Sequence, residues 1–343
     1  MPTFRDSEKQ RYRALKPRLF SEAACRPGTY AGRPRDFCLA DAHAAENLHE
    51  SLRDESLRYF RERRIQWHKQ SAPGLPSNHL CSSQVACVNA LWPLARDPEL
   101  LARVFGPLLP ELDEPLPFDA DRPLPDGTAP FLAFEWIGTR GYLGERGGRS
   151  RGANATSADF AFRFRRRDDR VQLVLGEWKY TESYARRLPP PTQLNPAQLA
   201  TYRGPFARWR ERQPGLPAYE AFFVEPFYQL MRLTLLALEM ERAAAEGAGE
   251  LGAEVVSVVE VVPRANREFA TAITSPELAR YGCCVAGIWD ALAPAGRFTP
   301  VAAEGLLMLI EEAAPADKAA WAADLLLRYG WWRLDSPSIS ADR

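Results

Sequence analysis

The chain has no net charge: 44 Lys and Arg residues balance 44 Asp and Glu. As a whole it carries no electrostatic bias towards a polyanion. It also lacks any apolar run of the ~20 residues needed to span a bilayer. The opening Met1-Pro2-Thr3-Phe4-Arg5-Asp6 has no apolar stretch of the kind a secretory signal needs, and its acidic residues argue against a transit peptide. The six cysteines follow no disulfide-framework spacing, and Cys283 and Cys284 are adjacent, so a reduced cytoplasm is the expected location. Cys25, Cys38, His43 and His49 offer zinc-type ligands without a short Cys-x2–4-Cys knuckle, which reads as chance spacing. Between Gly144 and Gly152 there is no Gly-Lys-Ser/Thr, so nucleotide hydrolysis has no support there. No His-Glu-x-x-His occurs, and no internal repeat is visible.

What is present is an ordinary globular composition, 46% hydrophobic and 26% charged, over 343 residues. That length allows one large domain or two moderate ones. Residues 51–69 read as a charged helix, and Ser77 or Asn78 can cap a second helix from His79 to about Trp92. The Pro- and acid-rich stretch 107–130 reads as an irregular linker. Phe131 to Ile137 is a strand candidate carrying Glu135. Residues 157–166 and 171–181 read as two strands joined by the polar turn Arg167-Asp168-Asp169-Arg170. Asn195 and Pro196 open a helix that runs to about Arg210, and another helix lies within 220–246. Val-rich 254–262 is a buried strand, and 275–332 reads as mostly helical.

The chemistry concentrates in the strand pair. Glu177 and Lys179 are two apart and therefore share a strand face. In the preceding strand Phe160, Phe162 and Phe164 take one face and leave Asp159 on the other. Two carboxylates and a lysine on neighbouring strands can hold a divalent metal and stabilise charge at phosphorus, the requirement of phosphodiester hydrolysis. Between Glu135 and Arg212 sixteen basic residues accompany eight acidic ones, an excess of eight expected to surround the site. Glu135 is a further candidate metal ligand. The loop holding Arg149 and Arg151 is a candidate phosphate contact, and Trp67, His68 and His79 are candidate contacts near the entrance.

The order of helix, three strands, helix and strand, with Asp159 and Glu177-Trp178-Lys179 in the central strands, resembles the PD-(D/E)xK nuclease superfamily. The resemblance covers roughly 77–263. Gln198-Leu199-Ala200-Thr201-Tyr202 looks like the Q-x-x-x-Y motif of its RecB-type branch, whose Gln and Tyr share a helix face. Thr156 to Asp159, Gly176 to Glu182, Ser83-Gln84 and Asn89 are also similar to a family of bacterial restriction endonucleases. The Pro of "PD" is Ala158 here.

The resemblance implies an α/β fold, a mixed central sheet flanked by helices. A helical extension (1–76), a nuclease core (77–263) and a C-terminal helical segment (264–343) follow as expected units. It implies a Mg²⁺-dependent deoxyribonuclease, Mn²⁺ being able to substitute, with a role in restriction or phage defence. Asp159, Glu177, Lys179 and Gln198 are the expected catalytic residues. Asp159, Glu177 and Glu135 are the expected metal ligands, and Arg149, Arg151 and Tyr202 the expected substrate contacts. DNA is the expected partner, and cleavage of both strands at symmetric sites would favour a homodimer. The alternatives are a RecB-like repair exonuclease and a catalytically silent nucleic-acid-binding module on the same fold.

Overall fold

The computed structural model describes residues 2–70, 72–118, 123–145, 155–184 and 195–333. Helix α1 (Phe4–Leu19) begins where the Thr3 side chain accepts from the Asp6 N–H, satisfying one of the donors that a helix start leaves open. A short hairpin, β1 (Gly28–Tyr30) and β2 (Arg33–Arg35), precedes α2 (Glu50–Glu62). The expected helix over 51–69 stops there, because Arg64 turns the chain at a left-handed φ of 54°. Ser82 caps α3 (Ser83–Leu91), and Asp97 caps α4 (Pro98–Phe105).

The main sheet contains β3 (Leu112–Leu116), β4 (Leu132–Trp136), β5 (Ala158–Arg166), β6 (Val171–Trp178), β7 (Val255–Val262) and β8 (Phe298–Ala302). Their order is β3–β5–β6–β7–β8, with β4 also paired to β5. β3 and β4 pair antiparallel with opposite ends of β5, and β5 and β6 form the expected hairpin. β6, β7 and β8 are parallel, so the sheet is mixed. The parallel pairs need crossovers. Helices α5 (Pro196–Arg212) and α6 (Phe227–Ala245) carry the chain from β6 to β7. α7 (Arg267–Ala270) and α8 (Val285–Leu292) carry it from β7 to β8, and α9 (Ala303–Ala313) and α10 (Ala319–Tyr329) follow.

Strand alternation divides the core in two. Phe160, Phe162 and Phe164 of β5 bury against residues of α1 to α4, α9 and α10. Ala161 of β5 and Leu173 and Leu175 of β6 bury against α5, α6 and α8. Phe160 and Phe162 have no exposed surface, and each contributes on the order of 2 kcal/mol by its burial. Helices thus cover both faces of a mixed sheet, as the resemblance implied.

Two expectations change. The stretch 107–130 contains β3, and the segment after residue 263 contributes β8, so the sheet runs across the expected unit boundary. The termini also share one core. Tyr12 donates through its hydroxyl to the Arg328 carbonyl at 2.9 Å, and Asn89 Nδ2 donates to the Tyr329 hydroxyl at 2.9 Å. Among the described residues no helix is long and apolar enough to cross a membrane.

Candidate active site

β6 delivers its charged residues where it leaves the sheet. Beyond Trp178 the Lys179 N–H still donates to the Val261 carbonyl of β7 at 2.8 Å, so extended geometry persists and Glu177 and Lys179 keep a common face. The Lys179 ammonium lies 2.5 Å from Glu177 Oε1 and also donates to Gln229 Oε1 of α6. Asp159, near the start of β5, accepts the Trp178 N–H at 2.7 Å. Glu135 of β4 has a φ of 48°, a left-handed conformation rare outside glycine. Its carboxylate accepts from Gln84 Nε2 at 2.7 Å and from Ser157 Oγ at 3.4 Å. These four residues line one cavity of about 360 Å³, closed on its far side by Gln229 and Arg232 of α6.

The charges interact strongly. Burial pushes the Asp159 carboxyl well above its ordinary range, and the neighbouring charges of Glu177 and Glu135 add to the rise. Glu135 is raised as well, first by burial and further by Glu177, against the opposing influence of His68 and Gln84. Burial works against the Lys179 ammonium, yet Glu177, Tyr184, Glu182 and Asp159 outweigh it and hold Lys179 protonated well above its ordinary value. The site therefore holds the Lys179 cation among carboxylates that repel one another, with Arg232 as a second cation in the lining. That donor set fits a hard divalent cation. Among the described residues no three His, Cys, Asp or Glu side chains are gathered closely enough to enclose a metal by themselves, but Mg²⁺ needs only one or two carboxylates and completes its shell with water.

A second ring fixes these groups. Gln84 of α3 joins Glu135 to the loop after α2: its Oε1 accepts from the His68 N–H at 2.8 Å, and its Nε2 donates to the Gln66 carbonyl at 3.1 Å. Tyr180, next to Lys179, donates to the buried Glu8 carboxylate of α1, which Arg11 pairs at 2.6 Å. Behind Asp159, Glu145 accepts from the Thr156 N–H at 2.8 Å and from the Tyr202 hydroxyl at 2.7 Å. Arg232 Nε donates to Thr156 Oγ1 at 3.0 Å.

Asp159, Glu177, Lys179 and Glu135 come together, and other expected residues do not join them. Gln198 is exposed in the first turn of α5 and does not line the cavity. α5 buries Tyr202, Pro205, Phe206 and Trp209, and that packing leaves Gln198 at the surface. Gln229 is the glutamine that reaches Lys179. Tyr202 is buried and reaches the site indirectly, through Glu145 and the Tyr228 ring. Arg149 and Arg151 lie outside the described residues. Among the described residues, part of the basic excess lies away from the site. Arg163, Arg165, Arg166, Arg167 and Arg170 cluster at the opposite end of the β5–β6 hairpin, where Arg165 pairs with Glu114 and Arg170 with Asp168. At about 3.3 Å per residue that end is roughly 20 Å from Asp159. His68 lines the cavity, but His79 is buried between Tyr30 and Phe37 and Trp67 stacks on Phe60.

Gln229 and Arg232 carried no motif in the sequence. Their only signal is a polar pair at i and i+3 on the otherwise apolar face of a Leu/Ala-rich helix. The model of one protein family, described as restriction endonuclease associating with ARP, matches residues 9–330 of the chain. No curated protein and no solved structure matches it.

Proposed function

The chain belongs to the restriction endonucleases associating with ARP, and on that premise we propose that it hydrolyses phosphodiester bonds of DNA in the cavity bounded by β4, β5, β6 and α6. The family makes the chain a nuclease with a restriction-endonuclease-like fold. The observation that supports this location is the Lys179 ammonium, 2.5 Å from Glu177 on the wall that also carries Asp159 and Glu135.

Asp159 and Glu177 would hold Mg²⁺, with Glu135 as a further oxygen ligand. Bound there, the cation would supply neutralising charge at the non-bridging oxygens and acidify water. Lys179 stays protonated and donates to the phosphoryl group as negative charge grows on it. Glu177 and Gln229 keep its ammonium from swinging away. Gln84 holds Glu135 in its left-handed conformation, and Tyr180, tied to Glu8, fixes the chain on the far side of Lys179. Arg149 and Arg151 are retained as contacts to DNA phosphates. Cleavage of both strands would call for two such sites, which a homodimer supplies. Association with ARP, named in the family's description, extends to this chain as part of the same proposal.

The test is incubation of purified protein with supercoiled, linear and single-stranded DNA in Mg²⁺, Mn²⁺ or EDTA. Cleavage that needs the divalent ion and disappears in Lys179→Ala is the expected result. Cleavage that persists in EDTA, or in Lys179→Ala, would overturn this mechanism. Nicking of supercoiled circles identifies an endonuclease, whereas a requirement for free ends identifies an exonuclease.

A further inference from the structure

A phosphodiester entering this cavity meets four carboxylates, Glu135, Asp159, Glu177 and Glu182. Among the described residues the lining holds two permanent cations, Lys179 and Arg232. Lys179 is already engaged: its side chain is 7% exposed, and it bonds Glu177 and Gln229. Arg232 is in a different state. Its side chain is 24% exposed, its Nε donates to Thr156 Oγ1, and its Nη2 is 3.8 Å from Glu145, too far for a hydrogen bond. Its Nη1 has no hydrogen-bond partner among the described residues. The guanidinium is thus anchored through one nitrogen with its fork unsaturated, and it borders the space that Asp159 and Glu177 share.

We propose that Arg232 is the phosphate clamp of the site, binding non-bridging or flanking backbone oxygens through Nη1 and through Nη2, whose ion pair with Glu145 at 3.8 Å leaves its hydrogen bonds unmade. The inference rests on the nuclease reading and names a substrate-binding residue that neither the motif nor the family match supplies. The planar fork of an arginine matches two phosphate oxygens, which a lysine point charge does not. The surroundings pre-order it. Thr156 is held by Glu145, Glu145 accepts from Tyr202, and the guanidinium lies 5.4 Å from the centre of the Tyr228 ring. α6 places Gln229 and Arg232 one turn apart, so one helix face steadies the catalytic ammonium and offers the phosphate contact. Thr156 precedes Asp159 by three residues, which ties the clamp directly to the strand that bears the carboxylate.

The experiment measures binding of a short duplex in EDTA across a salt series, alongside cleavage in Mg²⁺. Arg232→Ala is expected to bind about 10-fold more weakly and to reduce the slope of log K against log salt by about 1, as loss of one phosphate contact does. Arg232→Lys keeps the slope and binds with intermediate affinity. Arg165→Ala, on the distant hairpin, changes neither quantity. If Arg232→Ala unsettles α6, as its melting curve would reveal, Arg232→Gln keeps a donor for Thr156 without the charge and must give the same loss of slope. Wild-type affinity and slope in a folded Arg232→Ala or Arg232→Gln would overturn the clamp, as would an equal loss in Arg165→Ala. Should the wild type cleave no DNA with Mg²⁺ or Mn²⁺, the nuclease reading fails while the salt slope still decides the clamp.

Discussion

The Trp178 N–H donates to the Asp159 carboxylate at 2.7 Å, so the backbone that separates Glu177 from Lys179 also holds the carboxylate of the neighbouring strand. One hydrogen bond across the hairpin sets the spacing of three charged groups. The single donor does not offset the burial of Asp159 or the charges of Glu177 and Glu135, and its acidity stays well below normal.

Asp159→Asn follows from this balance. Cleavage should fall by about 10²-fold or more, since a charged group at the reacting centre is lost. Stability should move the other way. The folded-state value of Asp159 is raised, so its ionisation costs stability that is lost as pH rises from the ordinary aspartate range through the raised value. At neutral pH in EDTA the Asn variant, which cannot ionise, should melt above the wild type. A lower melting temperature would show that the attraction of the Asp159 charge to Lys179, not repulsion and burial, dominates at this position.

Lys179→Ala removes the cation that keeps Glu177 company. The cost should reach about 3 kcal/mol in denaturant titration, because an almost buried carboxylate is left without its partner. Adding Glu177→Gln should recover most of that stability and none of the cleavage. Recovery of cleavage in the double variant would remove Lys179 from the chemistry.

The sequence made the strand end legible because strand geometry is local. A two-residue period needs no tertiary information to put Glu177 beside Lys179, or to set Asp159 opposite three phenylalanines. The caps at Asn195 and Pro196 were readable for the same reason. β8 was hidden because Phe298–Ala302 is five residues long and contains Pro300, a pattern weaker than the helices around it. β3 was hidden by Pro115 and its acidic neighbours, which an edge strand tolerates. The outer part of the site was illegible for a different reason. Which face of α5 or α6 looks inward depends on how each helix packs on the sheet, so Gln198 and Gln229 could not be told apart from spacing alone.

Gly176 is a steric requirement of the hairpin rather than a source of flexibility. A Cβ built there would sit 2.2 Å from the Phe160 ring, which is fully buried. Gly176→Ala must push that ring into a packed core, at a cost of about 1–3 kcal/mol. Chemical denaturation should show the loss, and Phe160→Leu in the same chain should return part of it. An alanine variant as stable as the wild type would mean that the ring moves freely, contrary to close packing around β5 and β6.

Glu260 pairs in register with Glu177 across β6 and β7, is 1% exposed, and leaves Oε1 without a hydrogen-bond partner. Burial raises its carboxyl from 4.5 to about 8, with Lys179 opposing the rise and Glu177 adding to it. In the unfolded chain the same group ionises in the ordinary glutamate range. Between those two values the unfolded state releases a proton that the folded state retains, so stability declines as pH climbs from about 5 to about 8. Glu260→Gln removes this contribution. Melting temperatures measured in EDTA should therefore fall less steeply with pH in the variant, by roughly 2 °C or more across that window, and the two proteins should differ most at the alkaline end. Parallel profiles would show that Glu260 is already ionised in the folded protein at neutral pH, stabilised by Lys179.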